Sequence, residues 1–149
     1  EQAGAHGYER AFQVMRQLHL PMDDAEQQFR RMVFNLVARN QDDHVKNIAF
    51  LMDKRGRWSL SPAYDVTYAY NPGGPWTSRH QMTVNGKADG FERADLKAVG
   101  KVALLKRGRA TAILDEVLEA VRGWPEIAAE VGVEAERIEG IARSHRLEW

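Results

Sequence analysis

The sequence predicts a mainly α-helical domain with one small β-hairpin. Three observations carry that expectation. Apolar residues recur at helical spacing in most stretches of the chain. Two short runs rich in β-forming residues flank Lys54-Arg55-Gly56, the composition of a hairpin turn. No internal repeat, low-complexity segment or clear linker interrupts the pattern, so residues 1–149 read as one unit.

The elements follow in order. Tyr8, Ala11, Phe12, Met15 and Leu18 mark one face of a helix over 8–18, and Pro21 breaks it. Asp23 or Asp24 is the expected N-cap of the next helix, with Glu26 or Gln27 three residues on as in a capping box. Its face is Phe29, Met32, Val33, Leu36 and Val37, apolar enough to sit near the core, and it stops around Asn40. The hairpin is expected over 48–53 and 57–61. If Asp53 pairs with Trp58, Asn47 falls opposite Tyr64, and opposed residues lie about 5 Å apart. The stretch 71–90 reads as loop, with a short strand at 81–84 and a turn at Asn85-Gly86. Helices are expected over 93–105, 109–122 and 134–146, with a short segment at 125–131. Trp58, Trp76 and Trp124 are expected in the core or at an interface, and His80 in a structural role.

Composition removes several function classes. Hydrophobic residues make up 44% and charged residues 28%, the balance of a globular chain. Formal net charge is zero, so no electrostatic footprint for direct nucleic-acid contact exists. There are no cysteines, which excludes disulfides and thiolate zinc sites and fits a cytoplasmic protein. No apolar run approaches the ~18 residues of a membrane span. The histidines His6, His19 and His145 are scattered and form no metal spacing.

The chemistry concentrates in Asn40-Gln41-Asp42-Asp43-His44-Val45-Lys46-Asn47 and Ser61-Pro62-Ala63-Tyr64-Asp65. A kinase needs a carboxylate to receive the hydroxyl proton of its substrate, and an Asn and a second carboxylate to hold Mg²⁺ against the phosphates of ATP. In the pattern HRDxxxxN the base precedes the Asn by five residues, as Asp42 precedes Asn47. The Asn47 amide oxygen is a suitable hard ligand for Mg²⁺. The hairpin would bring Asp65 back to Asn47, so the two could share one metal ion. Asp43 reads as a turn or capping residue. His44 either fixes the loop, orients Asp42 or contacts a phosphate. Lys46 is either a solvated lysine or a charge beside phosphate, and Tyr64 either packs or lines a nucleotide pocket.

These two motifs resemble those of HipA-type serine/threonine kinases, the toxins of bacterial type II toxin–antitoxin pairs. The resemblance covers roughly residues 8–145, extending through His80-Gln-Met-Thr-Val-Asn-Gly-Lys into the helical tail. It implies a two-lobed kinase-like fold whose C-terminal lobe is mainly helical. It implies Asp42 as catalytic base and Asn47 and Asp65 as Mg²⁺ ligands, Asp65 standing where other kinases carry the Asp of DFG. His44, Lys46, Asn47, Tyr64 and Asp65 would border the nucleotide, with ATP as substrate. The implied partners are a protein substrate, such as a translation component, and an antitoxin with a DNA-binding fold. The ATP-gripping lysine, phosphate-binding loop and regulatory serine of such kinases belong to an N-terminal half. No G-x-G-x-x-G loop or Val-Ala-Ile-Lys-like strand occurs here. The chain begins at Glu1, and the expectation is a C-terminal lobe that is inactive or nearly so without the missing N-terminal lobe.

Two other functions compete. One is a non-catalytic, kinase-derived module that binds an antitoxin or another protein. An intact Asp42, Asn47 and Asp65 set argues against it. The other is a metal-dependent phosphohydrolase built on Asp42, Asp43 and His44, a class that needs further His or Asp ligands.

Overall fold

The computed structural model describes residues 4–149. The chain runs β1 (His6–Gly7), α1 (Tyr8–Gln17), α2 (Met22–Ala38), a 3₁₀ turn (Val45–Asn47), β2 (Phe50–Met52), β3 (Trp58–Leu60), β4 (Met82–Thr83), α3 (Arg93–Val102), α4 (Arg109–Arg122), α5 (Trp124–Glu130) and α6 (Ala135–Ser144). It is mainly α with two small two-stranded sheets.

α2 is the central helix. Phe29, Met32, Val33, Leu36 and Val37 are fully buried. They pack in one cluster with Tyr8, Phe12 and Met15 of α1 and with Ile113, Leu114, Val117 and Leu118 of α4. Burying side chains of this size stabilises the fold by about 1.5–3 kcal/mol each. The apolar spacing in the sequence thus marks the faces that meet. α3 packs on α4 so closely that a Cβ added at Gly100 would lie 2.9 Å from the Ala110 Cβ.

α2 begins differently from expectation. Its N-cap is Pro21 and no side chain caps it. Asp24 instead accepts a hydrogen bond from the Leu60 backbone N–H at 2.9 Å, so this carboxylate ties the hairpin to the helix. The helix ends at Arg39 in the left-handed conformation (φ 61°), whose N–H returns to the Asn35 carbonyl. That turn swings the chain out of the core at Asn40, where the sequence places the end.

The hairpin forms, but its register is one residue off the expected one. Phe50 pairs with Leu60, Leu51 with Ser59 and Met52 with Trp58. The Asp53 N–H donates to the Arg57 carbonyl at 2.9 Å, leaving a three-residue loop, Lys54-Arg55-Gly56. Gly56 takes φ 77°, the left-handed position that such loops require. The Asp53 carboxylate closes the loop by accepting from the Arg55 and Arg57 backbone N–H groups.

β4 pairs with β1 in parallel, a contact between the start of the chain and its middle that local pattern does not announce. Val84 and Lys87 then exchange hydrogen bonds around Asn85-Gly86, both at positive φ, the expected turn. Trp58 and Trp76 lie outside the core, 36% and 67% exposed. Trp124 is half-buried and donates its indole N–H to the Ile138 carbonyl. No helix among the described residues is long and apolar enough to cross a membrane.

Candidate active site

Residues 40–44 leave α2 as an irregular segment, bridged to Ala69 at Asn40. Burial alternates along 41–44. Gln41 and Asp43 point inward and are 0% and 2% exposed, while Asp42 and His44 are half-buried. The 3₁₀ turn follows, closed by the Asn47 N–H on the His44 carbonyl at 3.0 Å.

This turn aims the Asn47 side chain back at the loop. Its Nδ2 donates to the Asp42 backbone carbonyl at 3.1 Å and to Asp65 Oδ2 at 2.9 Å. One amide therefore joins Asp42, Asn47 and Asp65. The Tyr64 hydroxyl donates to the Lys46 carbonyl at 2.6 Å and fastens the second motif to the first. Asp65 sits at φ 53°, an uncommon conformation for a non-glycine residue that concentrates at functional sites. The Asn40 amide reaches the Asp65 carbonyl at 3.4 Å. The expected juxtaposition of Asn47 and Asp65 is thus present despite the shifted register, because the 3₁₀ turn and the bend at Asp65 replace ladder pairing there.

Among the six candidate residues, Asp42, Asn47 and Asp65 are joined through one side chain, and Lys46 and Tyr64 through the hydroxyl. His44 contributes its carbonyl to the turn, while its Nδ1 is buried without a hydrogen-bond partner. His44 also lines a cavity of about 20 Å³ together with Asn35, Asn40, Asn47 and Asp65. A larger concavity, about 840 Å³, lies elsewhere, between α2, α4, α5 and α6. It touches Val66, Thr67 and Tyr68 but none of the six candidates. The charged and hard-oxygen groups converge at the smaller site.

Asp43 is a buried anchor, not a turn cap. Its Oδ2 accepts from the Tyr8 hydroxyl at 2.7 Å and faces His80 Nδ1 at 2.8 Å, and its Oδ1 accepts from the Gln81 N–H at 2.9 Å. Burial and the adjacent Asp43 carboxylate push the Tyr8 phenol well above its ordinary range. The Asn35 amide donates to the Tyr8 oxygen at 3.0 Å, and the Asn40 amide donates to Asn35 Oδ1 at 3.0 Å. A continuous polar chain therefore runs from Asp65 through Asn40, Asn35 and Tyr8 to Asp43 and His80. Tyr8, Asn35, Asn40 and Asp43 are support residues that spacing alone does not reveal. The one local signal is the alternation that sends Asp43 inward and Asp42 outward.

Asn47 presents its amide nitrogen to Asp65 Oδ2 at 2.9 Å, so a half-turn of the amide would set its oxygen beside that carboxylate. Mg²⁺ is commonly held by one or two such protein oxygens with phosphate and water completing the shell, so the donor set fits it. Among the described residues no group of three or more His, Cys, Asp or Glu comes together to hold a metal.

A family model described as the HipA-like C-terminal domain matches residues 1–124. The chain is also 28% identical over 148 residues to the protein named Putative kinase Y4mE of Sinorhizobium fredii (strain NBRC 101917 / NGR234). That alignment covers 95% of this chain and 35% of that protein, so the chain spans about a third of the length of the curated relative it matches. With the family model covering most of its residues, the chain belongs to the HipA-like C-terminal domain family.

Proposed function

We propose that this chain is the C-terminal catalytic lobe of a HipA-like serine/threonine kinase that transfers the γ-phosphate of ATP to a protein hydroxyl. The observation that carries the reading is the Asn47 amide bridging the Asp42 carbonyl and the Asp65 carboxylate. It supports the spacing logic of a phosphoryl-transfer site, in which base and metal ligands must be held in one frame. Asp42 accepts the proton of the substrate hydroxyl as the oxygen attacks phosphorus. Asn47, with its amide turned over from the donor pose it takes toward Asp65, and Asp65 would hold Mg²⁺ through their oxygens. Bound Mg²⁺ supplies neutralisation of the charge on the β- and γ-phosphates. His44, Lys46 and Tyr64 border the nucleotide. The toxin role, an antitoxin partner with a DNA-binding fold and a cytoplasmic site of action belong to this proposal and rest on the motif resemblance. The phosphate cradle comes from an N-terminal lobe.

A second reading is a non-catalytic module that binds a protein partner. The exposed Leu51, Met52 and Trp58 of the hairpin favour it, since they form apolar surface on a small element.

The test has two stages. Calorimetry of Mg²⁺-ATP on this chain and on Asp65→Ala should show binding that the variant loses. In the longer two-lobed protein, Asp42→Asn should lower kcat by about 10²–10⁴-fold with little change in KM for ATP. A longer protein that transfers phosphate equally well with Asp42→Asn removes Asp42 from the mechanism. A longer protein that binds its partner but never ATP moves the binding-module reading to first place.

A further inference from the structure

Arg146 lies past the last helix, outside the residues matched by the family model. Its backbone N–H donates to the Val37 carbonyl at 2.9 Å, so the tail returns to the end of α2. Its side chain is only 12% exposed. The guanidinium donates through Nη1 to the Leu36 carbonyl at 2.8 Å and through Nη2 to Gln41 Oε1 at 3.1 Å and Asp89 Oδ1 at 2.6 Å. Nη1 also lies 3.0 Å from His80 Nε2.

A guanidinium carries donors only and keeps its charge in proteins. His80 Nε2 must therefore accept, which places the imidazole proton on Nδ1, where it donates to Asp43 Oδ2. The other tautomer sets N–H against N–H at one end of the ring and lone pair against carboxylate at the other. An imidazolium sets N–H against the guanidinium as well. The ring is fully buried against Phe91, edge to face at 5.4 Å, so it cannot turn away to water.

We propose that Arg146 is a positioning residue for the candidate catalytic loop: it holds His80 as the neutral Nδ1–H tautomer and clamps both residues that flank Asp42. Gln41 is held directly and Asp43 through His80. Gln41 is further fixed by its amide on the Thr77 carbonyl and by Arg39, which donates to the same Oε1 at 3.0 Å. The clamp rests on the reading of Asp42 as the base only for its catalytic consequence. The tautomer and the loop geometry are independent of it.

The experiment pairs two readouts on wild type, Arg146→Met and Arg146→Lys. Long-range ¹H–¹⁵N NMR of this chain reports which His80 nitrogen carries the proton, and backbone amide shifts report the loop at 41–43. Steady-state phosphotransfer by the longer protein reports function. Wild type should show protonated Nδ1 and bare Nε2. Arg146→Met should lose that single tautomer, move the Gln41, Asp42 and Asp43 amides, and lower kcat about 10–100-fold at unchanged KM for ATP, as loss of a supporting contact does. Arg146→Lys keeps the charge but not the fork and should fall between. A wild-type His80 protonated on Nε2 overturns the proposal, as does a folded Arg146→Met whose His80 and loop amides stay in place. A moved tautomer with unchanged kcat overturns its catalytic half. Circular dichroism checks folding, and if Arg146→Met does not fold, the wild-type tautomer and Arg146→Lys decide. Absence of phosphotransfer in the wild-type longer protein refutes the kinase reading, while NMR still decides the clamp.

Discussion

Replacing Asp43 separates support from the proposed chemistry, because its neighbour Asp42 has the same side chain and a more exposed environment. Asp43 is 2% exposed and accepts from Tyr8, His80 and the Gln81 backbone. Asp43→Ala leaves two buried side-chain donors, the Tyr8 hydroxyl and His80 Nδ1–H, without an acceptor. At 1–3 kcal/mol for each orphaned group, the cost is about 4 kcal/mol. That is a large share of the 5–15 kcal/mol typical of a folded domain. His80 cannot rescue itself by moving its proton, because Arg146 already faces Nε2. Asp43→Asn should fare little better, since one of its two positions becomes an N–H facing donors. Asp42→Ala, by contrast, removes a half-buried carboxylate and should change stability by less than about 1 kcal/mol. The assay is urea unfolding of each variant, comparing midpoints at equal m-value. An Asp43→Ala cost below about 1 kcal/mol, or one equal to that of Asp42→Ala, refutes the reasoning.

Four further outcomes follow from the structure. The Tyr8 phenol titrates higher in the folded than in the unfolded chain, so the unfolded state releases its proton first as pH rises above about 10. Stability should therefore fall across that alkaline range, and Tyr8→Phe should flatten this part of an unfolding-versus-pH curve. Burial pushes the Asp95 carboxyl up, but hydrogen bonds from Asn85, Lys87 and the Glu92 N–H outweigh it and hold it below the ordinary carboxylate range. Its contribution is present above the unfolded-state value and is lost as pH falls through the depressed one, so Asp95→Asn should weaken the fold at neutral pH and flatten the acid limb. Gly140 in α6 has open space where a Cβ would go, and Gly140→Ala should stabilise by about 1 kcal/mol. The same change at Gly100 meets Ala110 at 2.9 Å and should destabilise by about 1–3 kcal/mol from overpacking, with Ala110→Gly relieving it. Thermal melts of the single variants and the double variant read both signs.

What was legible in the sequence was local. The faces of α1, α2 and α4 were readable because burial imposes a 3.6-residue period on the apolar residues that meet in the core. The spacing of Asp42 and Asn47 was readable because one turn and one loop connect them. The hairpin register was not, since it turns on whether Arg57 belongs to the loop or the ladder, and a single left-handed glycine decides that. The support of the site was hidden for a different reason. Tyr8, Asp43, His80 and Arg146 lie far apart in the chain and meet only when α1, the loop after α2 and the tail converge. Nothing in residue type distinguishes Asp43 from Asp42. Only the path of the chain through 41–43 buries one and leaves the other half-exposed.

The division between these two aspartates is also a division of cost. Groups meant to meet a substrate must stay accessible, and accessible side chains are held weakly by their own contacts. Here Asp65 is exposed and Asp42 and Asn47 half-buried, so packing alone cannot fix them. The fixing groups are one layer deeper: Asn40 under Asp65, and Gln41 and Asp43 on either side of Asp42, all at 0–2% exposure. Each deep group is hydrogen-bonded to another part of the chain, so moving the loop would break bonds to α1, to Gln81 just before β4 and to the tail together. Reacting groups must be held to within about 0.5 Å of their working geometry. A buried polar layer can supply that rigidity only if its members are paired, because an unpaired one costs more than an apolar core would. The loop's precision and its sensitivity to distant substitutions therefore have the same origin. Changes at Tyr8 or Arg146, neither a candidate for chemistry, should disturb Asp42 more than changes at the exposed Lys46 beside the site.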